Sequence, residues 1–185
     1  MARKQLLLVF TFLCGVYACE CLGDATRWNL DTFGVEVLEG NGRTLVDRTV
    51  ASDTVLLQLD FEAAFVEHRR LPRGTFVSVA YATSCVDDGD AGMQNALDSL
   101  IVTSDAPFGT LPAGAPLNSL LRADNDQSVA AWLAGSAAWT FRFADRPALY
   151  FTTAPAANSE HRFTLRFRTT GGNEIVQTTE AVRWQ

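Results

Sequence analysis

The sequence predicts a mainly β protein, an antiparallel β-sandwich of immunoglobulin-like type with at most one short helix, preceded by a signal peptide. Three observations carry this expectation. About seven to nine short runs alternate apolar with polar residues, the period of strands whose two faces meet different surroundings. Gly-, Asn- and Asp-bearing turns separate the runs, and only one alanine-rich stretch suits a helix. Twelve Phe and four Trp in a chain of 185 residues that is 48% hydrophobic supply a core for one domain, too short a length for two.

Arg3 and Lys4 precede an apolar run from Leu6 to Val16, the pattern of a secretory signal peptide. The run is shorter than the roughly 18 residues a membrane span needs, and Glu20 and Asp24 follow at once. Val16-Tyr17-Ala18-Cys19 resembles the bacterial lipobox, in which a small residue precedes a cysteine that is lipidated and becomes the new N-terminus. The resemblance implies Cys19 as the lipid-attachment residue, with palmitate among the acyl groups. Val16 and Ala18 also suit an ordinary signal peptidase, which would release a plain secreted protein, and the bulky Tyr17 keeps that alternative open. The expected division is a signal peptide over 1–18, a lipid-anchored tether over 19–30 and a single sandwich domain over 31–185.

Four cysteines are present, of which Cys14 leaves with the signal and Cys19 takes the lipid. Cys21 and Cys85 remain, an even pair in an oxidising compartment, and a disulfide is their simplest use. Closing that loop would stabilise the fold by about 4 kcal/mol in the chain-entropy model. Zinc is a poor alternative, because Cys19 and Cys21 have a single residue between them and no second pair follows.

Loss of residues 1–18 takes Arg3 and Lys4, so fifteen basic residues become thirteen against twenty-one acidic ones, and the formal charge moves from −6 to −8. The mature chain then has no lysine. That balance excludes nucleic acid as an expected partner and disfavours anionic headgroups, since both are held through clustered positive charge. The arginines read as dispersed, with Arg69, Arg70 and Arg73 the only cluster, itself a solvated turn before Gly74.

Along the domain, Phe33, Val35 and Val37 form a first alternating run, and Glu39-Gly40-Asn41-Gly42-Arg43 supplies an Asn-Gly turn into a return run over 44–50. Val55, Leu57, Leu59 and Phe61 alternate with Leu56, Gln58, Asp60 and Glu62, after which a loop or one helical turn is expected to Arg70. Residues 75–83 are rich in β-branched and aromatic side chains and form another expected strand, broken by Asp87-Asp88-Gly89-Asp90. Leu97 to Ser104 is a strand, followed by an irregular stretch from Asp105 to Pro116. Ser128 to Ala138 is the expected helix, with Asp124-Asn125-Asp126 as its N-cap chemistry. Short strands follow over 140–143 and 148–153. Arg162 to Thr169 then turns through Thr170-Gly171-Gly172-Asn173 into a run over 174–184, a hairpin.

The chain resembles a family of uncharacterised lipoproteins of Bacteroidetes, known as a domain of unknown function. The resemblance is carried by Cys19 with Cys21 behind it, by Tyr81-Ala82-Thr83-Ser84-Cys85, by Leu100-Ile101-Val102-Thr103-Ser104, by Pro112-Ala113-Gly114 before Leu117-Asn118, and by the last hairpin with Gly171-Gly172. It implies an envelope lipoprotein with a β-rich domain and implies no activity.

No reacting constellation stands out. His68 and His161 are far apart in sequence, and the serines lack a Gly-x-Ser-x-Gly setting. Cys85 reads as a disulfide partner, not as an activated thiolate. Asp87, Asp88 and Asp90 are weak candidates for calcium, because closely spaced carboxylates beside a glycine let oxygens converge, yet the spacing lacks an EF-hand's distal glutamate. Trp28, Trp132, Trp139 and Trp184 suit core packing better than a sugar-stacking platform. The expectation is therefore an exported envelope lipoprotein of the outer membrane, facing periplasm or surface. It would be held by a lipid on Cys19, bind an unknown envelope protein or glycan, and need no cofactor. An exported hydrolase of glycans or peptides, using two carboxylates the sequence does not single out, is the alternative.

Overall fold

The computed structural model describes residues 26–51, 54–66, 89–141 and 146–185. The signal peptide, Cys19, Cys21, Cys85, Asp87, Asp88, His68 and the strand expected over 75–83 all lie outside the described residues.

The described residues form eleven strands and one α-helix: β1 (Trp28–Glu39), β2 (Thr49–Val50), β3 (Val55–Phe65), β4 (Leu97–Ser104), β5 (Leu121–Ala123), β6 (Gln127–Ser128), α1 (Val129–Ala134), β7 (Ala148–Phe151), β8 (Glu160–His161), β9 (Phe163–Thr169), β10 (Glu174–Thr178) and β11 (Val182–Trp184). The fold is the expected β-sandwich. A five-stranded sheet in the order β1-β3-β7-β5-β6 packs on a three-stranded sheet, β10-β9-β4, and a small third sheet, β2-β11-β8, closes one end. All pairings are antiparallel except the short one between β11 and β2.

Facing rings join the two large sheets. Phe33 of β1 and Phe61 of β3 stand edge-on to Phe167 of β9 at 5.0 and 5.7 Å, and Phe151 of β7 meets Phe163 of β9 at 5.0 Å. Such offset and edge-to-face pairs each add about 0.5–1.5 kcal/mol beyond the area they bury. Leu57, Leu59, Leu149 and Leu165 fill the space between them and are fully buried.

Several elements depart from their expected bounds. β1 begins at Trp28, only 2% exposed, inside the stretch expected to be tether. The register of β1 against β3 shifts between Leu30 and Thr32, and this bulge at Asp31 moves the core-facing positions from the buried Trp28 and Leu30 to the buried Phe33 and the half-buried Val35 and Val37. The Asn-Gly turn forms, but the return run supplies isolated bridges from Thr44 to Leu38 and from Val46 to Thr49 and the two residues of β2, and β1 takes β3 as its partner along its whole length. β3 continues to Phe65 where a loop was expected, because Trp28 pairs with Phe65 and extends the ladder.

The helix is shorter than expected, running over Val129–Ala134 and continuing as a 3-10 turn over Ser136–Ala138. Its cap is Ser128, whose Oγ accepts from the Ala131 N–H, and Asp124–Asp126 forms a separate 3-10 turn before β6. Thr140 and Phe141 are not in a strand, and the rest of that expected run lies outside the described residues. β10 ends at Thr178, so the final run divides: the hairpin with β9 forms as expected, and Val182–Trp184 crosses to the third sheet.

Candidate functional site

The outer face of the β10-β9-β4 sheet is the candidate site. β9 turns Phe163, Leu165 and Phe167 into the core, so the intervening Thr164, Arg166 and Arg168 face outward, as does Arg162 one residue before the strand. Register then sets their neighbours. Arg166 lies between Ile101 of β4 and Val176 of β10, Arg168 between Ser99 and Glu174, and Thr164 between Thr103 and Thr178. Thr164 and Thr178 join their hydroxyls at 3.1 Å across this face.

The middle row is the unusual one. Ile101 and Val176 are 41% and 43% exposed, two of the few large aliphatic side chains in water among the described residues, and a guanidinium stands between them. Arg166 pairs with Glu174 at 3.2 Å, a surface bond worth at most about 1 kcal/mol. The backbone N–H of Arg162 donates to Asp105 at 2.7 Å. From Arg162, just before β9, to Arg168 the chain therefore carries three guanidinium groups along about 20 Å of one face. Arg69, Arg70 and Arg73, the one cluster of arginines expected, lie outside the described residues, and the group on this face escapes a count of neighbours along the chain because a strand brings together every second residue.

A second constellation lies in the core. His161, fully buried, bonds Ser104 Oγ through Nδ1 and Ser159 Oγ through Nε2, each at 2.8 Å. One proton arrangement satisfies every group: Ser159 donates to the Ala156 carbonyl, His161 Nε2–H donates to Ser159, and Ser104 donates to His161 Nδ1 while accepting from the Ala106 N–H. Burial lowers the His161 pKa, with nearby Asp105 pulling weakly the other way, so the neutral ring this arrangement requires is the favoured one. Phe108, Phe163 and Trp184 surround the ring. A serine hydroxyl already spent on a buried imidazole under three aromatic rings is a structural bond.

Asp90 sits half-buried in the turn leading to Gly92, and among the described residues no three His, Cys, Asp or Glu side chains converge on a metal-sized site. Trp28, Trp132 and Trp184 are buried and Trp139 stacks on Phe61 at 6.3 Å, so the four rings serve the core. Asp126 accepts from the Tyr150 hydroxyl at 2.8 Å. A shallow cleft of about 410 Å³ lies between β4 and α1, lined by Leu97, Asp98, Leu100, Asn118, Val129 and Leu133.

No protein-family model matches the chain, and no curated protein matches it.

Proposed function

We propose that the chain is an exported envelope lipoprotein, held at a membrane by a lipid on Cys19, whose β-sandwich serves as a binding module. The observation that carries this reading is the join between motif and fold. Cys19 closes a lipobox-like sequence and stands nine residues before Trp28, the buried first residue of β1. Nine residues span at most about 30 Å, so a lipid at Cys19 keeps the sandwich against the membrane. The resemblance to lipoproteins of Bacteroidetes supports the same reading, and a Cys21–Cys85 disulfide belongs to it. The outward row of Ile101, Arg166 and Val176 supports binding as the domain's role over a purely structural one.

The test is an intact mass of the protein extracted from membranes, non-reduced and then reduced. The expected mass exceeds residues 19–185 by a diacylglyceryl group and a fatty acyl chain, with two further hydrogens gained on reduction. An unmodified mass in the soluble fraction, or a Cys19→Ala variant still in the membrane fraction, overturns the anchor.

A further inference from the structure

We infer that the outer face of the β10-β9-β4 sheet docks an acidic protein partner, with Arg166 and Arg168 taking its carboxylates and Ile101 and Val176 its apolar flank. The inference rests on the reading of the domain as a binding module and is independent of the lipid.

Charge complementarity points to the partner's sign. The chain carries a formal charge of −6, yet this one face gathers Arg162, Arg166 and Arg168 against two acids, Asp105 beside Arg162 and Glu174 beside Arg166. A protein with this balance repels acidic surfaces everywhere except where its cations are grouped. All the positive charge on the face is arginine, whose planar fork meets a carboxylate through two parallel N–H bonds and holds less tightly to water than an ammonium does.

The apolar groups decide which kind of acidic partner. Arginine beside exposed aliphatic side chains is the composition of a protein–protein contact, where charge steers and apolar burial holds. A glycan would be gripped by stacked aromatic rings, and none of the nine residues in the three rows is aromatic. Three strands about 4.8 Å apart and some 20 Å long give a patch on the order of 300 Å². That is below the roughly 800 Å² per partner of a stable complex, so the contact is a transient one.

Binding of a fluorescein-labelled peptide of Glu-Glu-Leu repeats to the full-length processed protein, followed by anisotropy, tests this. The expected affinity falls tenfold or more from 50 to 500 mM salt and tenfold or more in Arg166→Glu/Arg168→Glu. It falls about threefold in Ile101→Ser/Val176→Ser, whose charge is unchanged, and rises in Glu174→Gln, which releases Arg166. Circular dichroism confirms that each variant is folded. Arg168→Gln, which alters no ion pair seen here, repeats the loss should the double variant fail to fold. Absence of peptide binding, or binding indifferent to these substitutions, overturns the inference. Equal binding of polygalacturonate or of phosphatidylglycerol vesicles, unaffected by the Ile101 and Val176 changes, would assign the face to a glycan or a membrane instead. A wild-type dimer in sedimentation that Arg166→Glu/Arg168→Glu dissolves would make the occupant a second copy of this chain. Each of these outcomes leaves the anchor reading to stand or fall on the mass of the protein.

Discussion

Ser104 at the end of β4 and His161 in β8 hold the third sheet to the sandwich through one buried bond of 2.8 Å. With Ser104 donating to Nδ1 the imidazole is neutral, and this ties the fold to pH. Burial depresses the folded pKa of His161 below its ordinary value of 6.5, while in the unfolded chain the ring titrates near that value. The unfolded state therefore binds more protons in the window between the two. The stability held by the neutral ring is full above about pH 6.5 and is lost as pH falls from there through the lowered folded value. Urea unfolding at pH 7.5 and 5.0 should show a larger drop for the wild type than for His161→Gln. His68 is present in both chains and cancels in the comparison. Ser104→Ala, which leaves Nδ1 buried without its donor, should cost about 1–3 kcal/mol at pH 7.5.

Two glycines separate backbone strain from steric clash. Gly92 and Gly114 both have positive φ, +83° and +77°, where a side chain is disfavoured by about 1–2 kcal/mol. A Cβ at Gly114 meets nothing within 4 Å, whereas at Gly92 it would come within 2.5 Å of the Ala137 carbonyl oxygen. That contact cannot relax by rotating a side chain, because the obstacle is backbone. Gly92 also accepts the Trp28 N–H at 3.1 Å, so displacement there loosens the start of β1. Gly114→Ala should lower the melting temperature by a few degrees, as a loss of about 1 kcal/mol does at this size, and Gly92→Ala by at least twice as much. Equal shifts would show that the approach of Ala137 is adjustable.

The alternation in β9 predicts opposite effects at adjacent residues. Phe167 is fully buried and meets Phe33 and Phe61 edge-on, so Phe167→Ala should cost about 3–5 kcal/mol through lost contact and the cavity left behind. Arg166→Ala, on the other side of the same strand, should fall within about 1 kcal/mol of wild type, since only one exposed ion pair is lost. Denaturant unfolding of the two variants checks the register directly. A one-residue slip of β9 would exchange the two results.

The alternation of β4, β3 and β9 was legible because each strand buries one face against a single core, and there period two is imposed by the pleat. β4 spans the same residues, Leu97 to Ser104, that its pattern marks. The beginning of β1 was not legible for a physical reason: the bulge at Asp31 reverses which parity faces inward, so Trp28 and Leu30 fall out of phase with Phe33 and read as tether. The cap of α1 was misread because Asp124, Asn125 and Asp126 have the right chemistry one turn too early, with Asn125 and Asp126 both at positive φ. The candidate face was half visible. Arg162, Arg166 and Arg168 share a parity that sequence displays, but Ile101 and Val176 join them only through the registers of two other strands, which local pattern does not encode.

The edge of β4 away from β9 yields the last prediction. Among the described strands β4 pairs only with β9, with an isolated bridge from Thr103 to Pro116 on its other side, and an uncovered strand edge is a template for association with another chain. The Asn118 side chain closes it as a substitute peptide group: Nδ2 donates to the Leu100 carbonyl at 2.6 Å and Oδ1 accepts from the Val102 N–H at 3.2 Å. The Leu117 N–H continues the cover by donating to the Val102 carbonyl at 2.7 Å, and Gly114 does the same for Ser104. Only an amide offers both a donor and an acceptor at this spacing. Asn118→Asp keeps the shape but sets a carboxylate oxygen against the Leu100 carbonyl, and Asn118→Ala leaves both backbone groups open. Each should lose about 1–3 kcal/mol in urea unfolding, from hydrogen bonds broken without replacement. Asn118→Ala should also show a concentration-dependent rise in mass by light scattering, which Asn118→Asp avoids because its charge repels an incoming strand. Loss of stability with no association in Asn118→Ala would mean that Leu117 and Gly114 alone suffice to guard the edge.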